Sequence, residues 1–436
     1  MTRFAPLIER LASRLAEMEV GSLVYFHTDH FEPWRSIGDI PAIGQGIVDA
    51  IGAFARTCER LDFARRLSLF YKPHLNYALR GGDGVERADP DDLVCFLPRA
   101  EHEERFGRAA MQQIVAAGHE IQLHLHHEYY TATKAHTDPA AIEWFAGPHG
   151  HRLDAARLEL AIRLNREIVA RETGRFPDRW FFIHGQWALN GSDNASCAIT
   201  NEIEVLMRNG CLGDFTFPAG HRMVNPRIQA PYFCRPVDAP KGYDRPEAEP
   251  EIAAGNAGAA ARKFFVWACA ADSLHCSLDY MSEASRRHLD NTEKAATALI
   301  EGSYRADHTL FIKTHAHSMH SFYFVHAALP VFPHQYPATQ NLFSVILDAA
   351  DRAGVAVRFA TASEVYASLI ADHAKPQIDL AATYLRPTGP MRVLQTAPSP
   401  RGASRDAKLP RNTPRRKRAG IARLLPDWAT RSGNRK

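Results

Sequence analysis

Eight short apolar runs, separated by amphipathic stretches, constrain this chain more than any other feature of its sequence. They are LVYFHTD (23–29), LSLFYK (67–72), EIQLHLH (120–126), WFFIHGQ (180–186), GDFTF (213–217), FFVWAC (264–269), LFIKTHAH (310–317) and VAVRFA (355–360). All are short and rich in β-branched or aromatic residues, as buried strands are. Helical patterns fall between them, near 43–60, 104–117, 152–173, 200–209, 283–302, 341–353 and 363–372. Strand–helix alternation of this kind predicts βα units around a parallel sheet. Eight such strands predict an α/β fold, a distorted (β/α) barrel of seven or eight strands, with a doubly wound open sheet as the alternative.

These strands occupy residues 1–385, read as one domain. Within it, 218–262 is rich in Pro, Gly and Ala and reads as a long insertion or lid. Residues 386–436 form a basic, Pro/Arg-rich tail with no apolar periodicity, expected to be disordered. The last 36 residues hold 12 Lys/Arg and 2 Asp/Glu, a contribution of +10. The chain as a whole has 52 and 49, so the remainder has 40 against 47, or −7. A basic tail on a mildly acidic body predicts polyanion contact through 401–436. The acidic body argues against nucleic-acid binding as the main role.

No apolar run approaches the ~20 residues of a membrane span. The opening MTRFAPLIERLASRLAEMEV is amphipathic, carries acidic residues and lacks an apolar h-region, so no transmembrane segment and a cytoplasmic location are expected. The seven cysteines (58, 95, 197, 211, 234, 269 and 276) include no CxxC pair. That argues against a disulfide framework and against a cysteine zinc cluster, and leaves histidines and carboxylates as metal ligands.

Active sites of parallel α/β folds sit at the carboxyl ends of the strands. Here those ends turn polar. The first supplies His27, Asp29, His30 and Glu32, and the second Lys72 and His74. The third, GHEIQLHLHHE, spends four histidines on eleven residues and turns His124 and His126 to one face. The fourth gives His184 and Gln186, the fifth Asp214 and Thr216. The seventh gives Lys313, His315, His317 and His320, and the eighth runs into Glu364. Imidazoles and carboxylates gathered at one end of a sheet suit Zn²⁺ or a similar divalent ion. A carboxylate would then act as base and a histidine as acid.

GHEIQLHLHHE resembles the second motif of the polysaccharide deacetylases (carbohydrate esterase family 4 and its divergent relatives). HTDHFEP sits where that family has its first motif, and FIKTHAH where it has its late motif. The resemblance spans roughly 20–370 and implies a distorted (β/α) barrel and a metal-dependent hydrolase, removing an N- or O-acetyl group from a sugar or glycan precursor. It implies Asp29 as the general base, His30 and His124 as ligands, and His126 (or Glu128) as the next ligand. It implies His315 or His317 as the acid. The family's third motif offers an arginine; FFIHGQWALN has none, and His184 or Gln186 stands there instead. Lys72, His184, Gln186 and Trp187 are the expected substrate contacts. Trp34, Tyr129 and Tyr130 also follow motif strands, where rings stack on sugars or pack. Alternatives are another metal-dependent amidase or a glycosidase pairing Asp29 with Asp214 or Glu364. A catalytically inactive carbohydrate-binding relative is the remaining one.

Overall fold

The structure is a computed structural model. It describes residues 2–31, 68–71, 76–79, 93–96, 111–112, 115–116, 118–125, 127, 155–185, 188–192, 197, 199–216, 230–241, 251–256, 258, 262–268, 277–281, 291–317, 336–371 and 384–385. The tail expected at 386–436, and the expected site residues Lys72, His126, Gln186 and Trp187, lie outside the described residues.

In chain order the first seven strands are β1 (Ser22–Phe31), β2 (Ser68–Tyr71), β3 (Asn76–Leu79), β4 (Leu93–Phe96), β5 (Glu120–Leu125), β6 (Phe176–Pro177) and β7 (Trp180–His184). They are followed by β8 (Cys211–Asp214), β9 (Tyr232–Cys234), β10 (Glu251–Ile252) and β11 (Phe264–Val266). The last four are β12 (Tyr304–Ala306), β13 (Thr309–Ala316), β14 (Ala356–Phe359) and β15 (Tyr384–Leu385). The helices are α1 (Ala5–Glu17), α2 (Ala155–Thr173), α3 (Glu202–Arg208), α4 (Asn291–Gly302), α5 (Pro337–Arg352) and α6 (Ala362–Ile370).

All eight apolar runs become strands of one sheet, with the order β10-β9-β11-β8-β7-β5-β2-β1-β13-β12 and β14 also on β1. The joins among those eight are parallel. β1 is the pivot. One edge pairs with β13 from Ser22 to Asp29. The other pairs with β14 over Ser22–Tyr25 and with β2 over Thr28–Phe31. Where β14 gives way to β2, the start of α6 fits in: Ala362 N donates to Ser68 Oγ at 2.7 Å, and Ser363 N to Glu120 Oε2 at 3.4 Å.

The sheet is strongly curled. Neighbouring strands lie ~4.8 Å apart, so β1 and β11, five steps apart in the order, would be roughly 24 Å apart in a flat sheet. Yet Phe26 of β1 meets Trp267, next after β11, at 4.8 Å between ring centroids. Phe215 meets both rings at 6.0–6.1 Å, and Lys313 Nζ of β13 donates to the Phe215 carbonyl. The expected α/β fold on a parallel sheet is present; as for the barrel, among the described residues the ladder does not close between β11 and β13. Antiparallel strands finish the edges instead, β9 on β11 and β12 on β13. β9 and β10 come from the expected insertion at 218–262, so part of that segment extends the sheet rather than lying over it. Tyr232, Phe233 and Cys234 are buried there, which favours pairing on the open edge over a solvated excursion.

Helices α1, α4 and α5 pack against the outer face. In α1 the buried positions Leu7, Ile8, Leu11 and Leu15 follow the 3.6-residue repeat. In α5, Leu342, Phe343, Val345, Ile346, Ala349 and Ala350 do the same. Tyr25, on the outer face of β1, meets Phe343 edge-on at 5.1 Å.

Candidate functional site

β1 splits its chemistry between two faces, because successive strand residues point to opposite sides. Phe26 faces the curled interior, and so does His30 four residues later. Tyr25, His27 and Asp29 share the opposite face. His30 sits near three other imidazoles at the carboxyl ends of β5 and β13. Its ring centroid is 4.9 Å from that of His124, 4.4 Å from His317 and 6.0 Å from His315. The expected site residues His30, His124, His315 and His317 therefore fall in one cluster. The side chain of His317 is 30% exposed, so the cluster reaches solvent, whereas His124 is fully buried.

Two of these rings are oriented through their Nδ1 atoms. His124 Nδ1 lies 3.0 Å from the Ile183 carbonyl, which takes a proton and assigns the Nδ1–H tautomer. His317 Nδ1 lies 2.7 Å from Asp279 Oδ2, and its backbone N–H donates to Asp279 Oδ1 at 3.0 Å. Both contacts are made through Nδ1. A carbonyl or carboxylate behind a histidine is the usual support of a metal-ligating or proton-transferring imidazole. Two imidazoles on one zinc ion, with Zn–N of 2.0–2.1 Å, place their centroids roughly 5 Å apart. The His30–His124 spacing fits that requirement.

Asp279, from the 3-10 turn Leu278–Met281, is a site residue that the sequence reading missed. Burial opposes ionisation of its carboxyl, but the charge and hydrogen bonds of His317 bring its pKa down to about 2. Its only sequence signal is a polar residue in the apolar stretch SLDYM. His315 is driven the other way. Burial first, then the Lys313 charge, hold its pKa well below the ordinary value against the pull of Asp279. It is neutral at physiological pH.

Asp29, expected as base beside the ligands, does not share a face with His30. Its Oδ2 lies 3.1 Å from His27 Nε2. His27 Nδ1 lies 2.9 Å from Thr314 Oγ1, which also meets the Tyr25 hydroxyl. Burial lowers the His27 pKa to about 3, with Asp279 opposing and Lys313 assisting, so a neutral His27 donates from Nε2 to Asp29. Glu364, the second carboxylate of the glycosidase alternative, is occupied elsewhere. It forms a capping box with Thr361 at the start of α6.

His184, expected at the substrate, belongs to a second and closed group. His127, His184, Cys197 and Glu202 bring one ligand atom each to within 4.8 Å of one another, and all four are buried. Glu202 Oε1 lies 2.6 Å from His127 Nε2 and 3.3 Å from His184 Nε2, and the two rings stack at 4.5 Å. Burial alone would raise the Glu202 carboxyl, yet His184 and His127 hold it well below the carboxylate range. The His184 imidazole, disfavoured as a cation by burial, is lifted well above its ordinary value by Glu202. Burial, then the Glu202 charge, raises the Cys197 thiol. This buried group could hold a metal ion. The sequence reading passed over it because its four members come from four separate segments, and Cys197 has no cysteine partner nearby.

No protein-family model matches the chain, and no curated protein matches it. Among solved structures it is similar to an alpha-mannosidase from Enterococcus faecalis V583, with a TM-score of 0.40 and 8% identity. The match covers 81% of this chain and 30% of that one, so this chain spans under a third of the other's length. A likeness this remote bears on neither fold nor activity. Among the described residues no helix is long and apolar enough to cross a membrane.

Proposed function

We propose that this chain is a metal-dependent hydrolase that removes an N- or O-acetyl group from a sugar or glycan precursor. Its reaction centre on this reading is the cluster of His30, His124, His315 and His317, at the mouth of a sheet read as a distorted barrel. The observation that carries the reading is the His30–His124 pair at 4.9 Å beside a carboxylate-backed His317. The acetyl substrate rests on the resemblance of GHEIQLHLHHE, HTDHFEP and FIKTHAH to the deacetylase motifs.

His30 and His124 would hold a divalent cation, zinc being the one that imidazole ligands suit best. A cation held there would supply Lewis-acid polarisation of the acyl carbonyl and a lower pKa for its water. The chain's own contribution is proton handling. His317, held by Asp279, takes the proton from water through Nε2 and returns it to the departing amine or alkoxide, the double duty of a carboxylate-backed histidine. That moves the base role from Asp29 to the His317–Asp279 pair. Neutral His315 offers a hydrogen bond without adding positive charge. Asp29 acts from behind β1 by fixing His27 one strand position away from the reacting face.

The test is acetate release from acetylated amino sugars by the purified chain, with and without chelator. Loss of activity on chelation, its return with zinc, and its absence in His317→Ala are expected. Sugar cleavage that survives chelation would replace this reading with a glycosidase.

A further inference from the structure

We infer that His127, His184, Cys197 and Glu202 form a second, closed zinc site whose task is structural. It goes beyond the hydrolase reading and does not depend on it.

Four observations support the site. The first is donor chemistry: two imidazoles, a thiol and a carboxylate make a borderline-soft set of the kind zinc takes. The second is spacing. Ligand atoms around a tetrahedral zinc lie roughly 3.3–3.6 Å apart, given Zn–N near 2.0–2.1 Å and Zn–S near 2.3 Å. Here Glu202 Oε1 is 3.3 Å from His184 Nε2 and 2.6 Å from His127 Nε2, Cys197 Sγ is 3.8 Å from Glu202 Oε2, and one ligand atom from each of the four lies within 4.8 Å of the others. The 3.3 Å approach lacks hydrogen-bond alignment, since neither His184 Nε2 nor Glu202 Oε1 makes a hydrogen bond.

The third is charge. A thiolate and a carboxylate offset a dication, so a loaded group enters the interior with no net charge. The fourth is support behind the ligands. His184 Nδ1 faces the Gly185 carbonyl, which leaves Nε2 to the cluster. Glu202 Oε2 accepts from Asn190 N at 2.6 Å. Asn190, in the left-handed region at φ 52, in turn accepts from Ile203 N and donates to the carbonyls of Val237 and Ala239.

Four protein ligands and full burial leave no position for water or substrate, which separates a structural site from a catalytic one. Its position shows what it would hold. His127 follows β5, His184 ends β7, Cys197 lies in the connection and Glu202 opens α3. One ion would tie the ends of two neighbouring strands to the connection that follows them. His124, three residues before His127, bonds to Ile183 next to His184, so the same ion would steady the reaction centre from behind.

The experiment is cobalt substitution of the full chain, followed by near-ultraviolet absorption and metal analysis. Thiolate-to-cobalt charge transfer is expected in the wild-type chain, retained in His30→Ala and lost in Cys197→Ala, with zinc content in Cys197→Ala lower by about one equivalent. The wild-type spectrum requires no variant to fold. A cobalt-loaded wild-type chain without that band overturns the proposal, as does a folded Cys197→Ala chain with unchanged zinc. If the band persists while His30→Ala and His124→Ala keep all their metal, the closed site stands and the hydrolase reading fails separately.

Discussion

His317 owes its orientation to Asp279, a carboxylate 38 residues upstream. That dependence sets the first prediction. Asp279→Asn keeps the shape but removes the charge behind the imidazole. Turnover should fall about 10²-fold or more with little change in KM, and the acid limb of the pH profile should move. Steady-state kinetics on the acetylated sugar checks it, and an unchanged turnover would remove His317 from the chemistry. Two further histidines predict how stability depends on pH. His27 and His119 are buried and neutral, with burial lowering their pKa values to about 3 and about 4. Unfolded, each titrates near 6.5, so below that pH the unfolded chain binds more protons and stability falls as pH drops from 6.5 toward 4. For His119 alone the loss approaches on the order of 3 kcal/mol at the low end. Urea midpoints at pH 7 and pH 5 test this, and His119→Gln should flatten the slope. Asp29→Asn, by contrast, should leave bound metal unchanged, because the carboxylate faces His27.

Among the elements, β8 shows how little room the curled sheet leaves. A Cβ on Gly213 would lie 2.5 Å from the Phe265 carbonyl and 2.6 Å from the Phe265 Cβ. These are the backbone and the buried ring of one core residue, so neither yields cheaply. Gly213→Ala should cost about 2–4 kcal/mol, read from denaturant unfolding; a cost within 0.5 kcal/mol would show the two strands to be further apart than described. The start of α6 offers a milder test. Thr361→Ala removes one half of the capping box and should cost about 1 kcal/mol. That box also shows where the sequence reading ran short at this scale. TASE carries both the signature of a helix start and an acidic residue after a strand. The backbone of α6 claims Glu364 for the first role. The eight strands were legible because each buries a continuous apolar run. The antiparallel strands β9, β10 and β12 were not, because two or three residues carry no readable period.

For the molecule as a whole, metal removal is the informative perturbation. Chelation should lower the thermal midpoint by several degrees, because an ion bound only to the folded chain stabilises it by mass action. Part of that shift should disappear in Cys197→Ala and a separate part in His124→Ala, if two sites are filled. A midpoint indifferent to chelator would argue against both. Much of the proposed reaction centre could be read from the chain, since His30, His124, His315 and His317 all stand at strand ends. Asp279, Cys197 and Glu202 could not, since each lies apart from the strand motifs; His127 stands within GHEIQLHLHHE, but Cys197 and Glu202 beside it do not.

Local pattern by itself determined the eight parallel strands, the helices that follow the patterns at 152–173, 200–209, 283–302, 341–353 and 363–372, and the end of the sheet to which histidines are drawn. Burial and strand periodicity act over a few residues, so a linear reading contains them. The tertiary structure decided the rest: the face on which Asp29 lies, the carboxylate behind His317, the antiparallel edges, and the meeting of His127, His184, Cys197 and Glu202. Each depends on curvature and register across segments tens to hundreds of residues apart, and distance along the chain does not encode that.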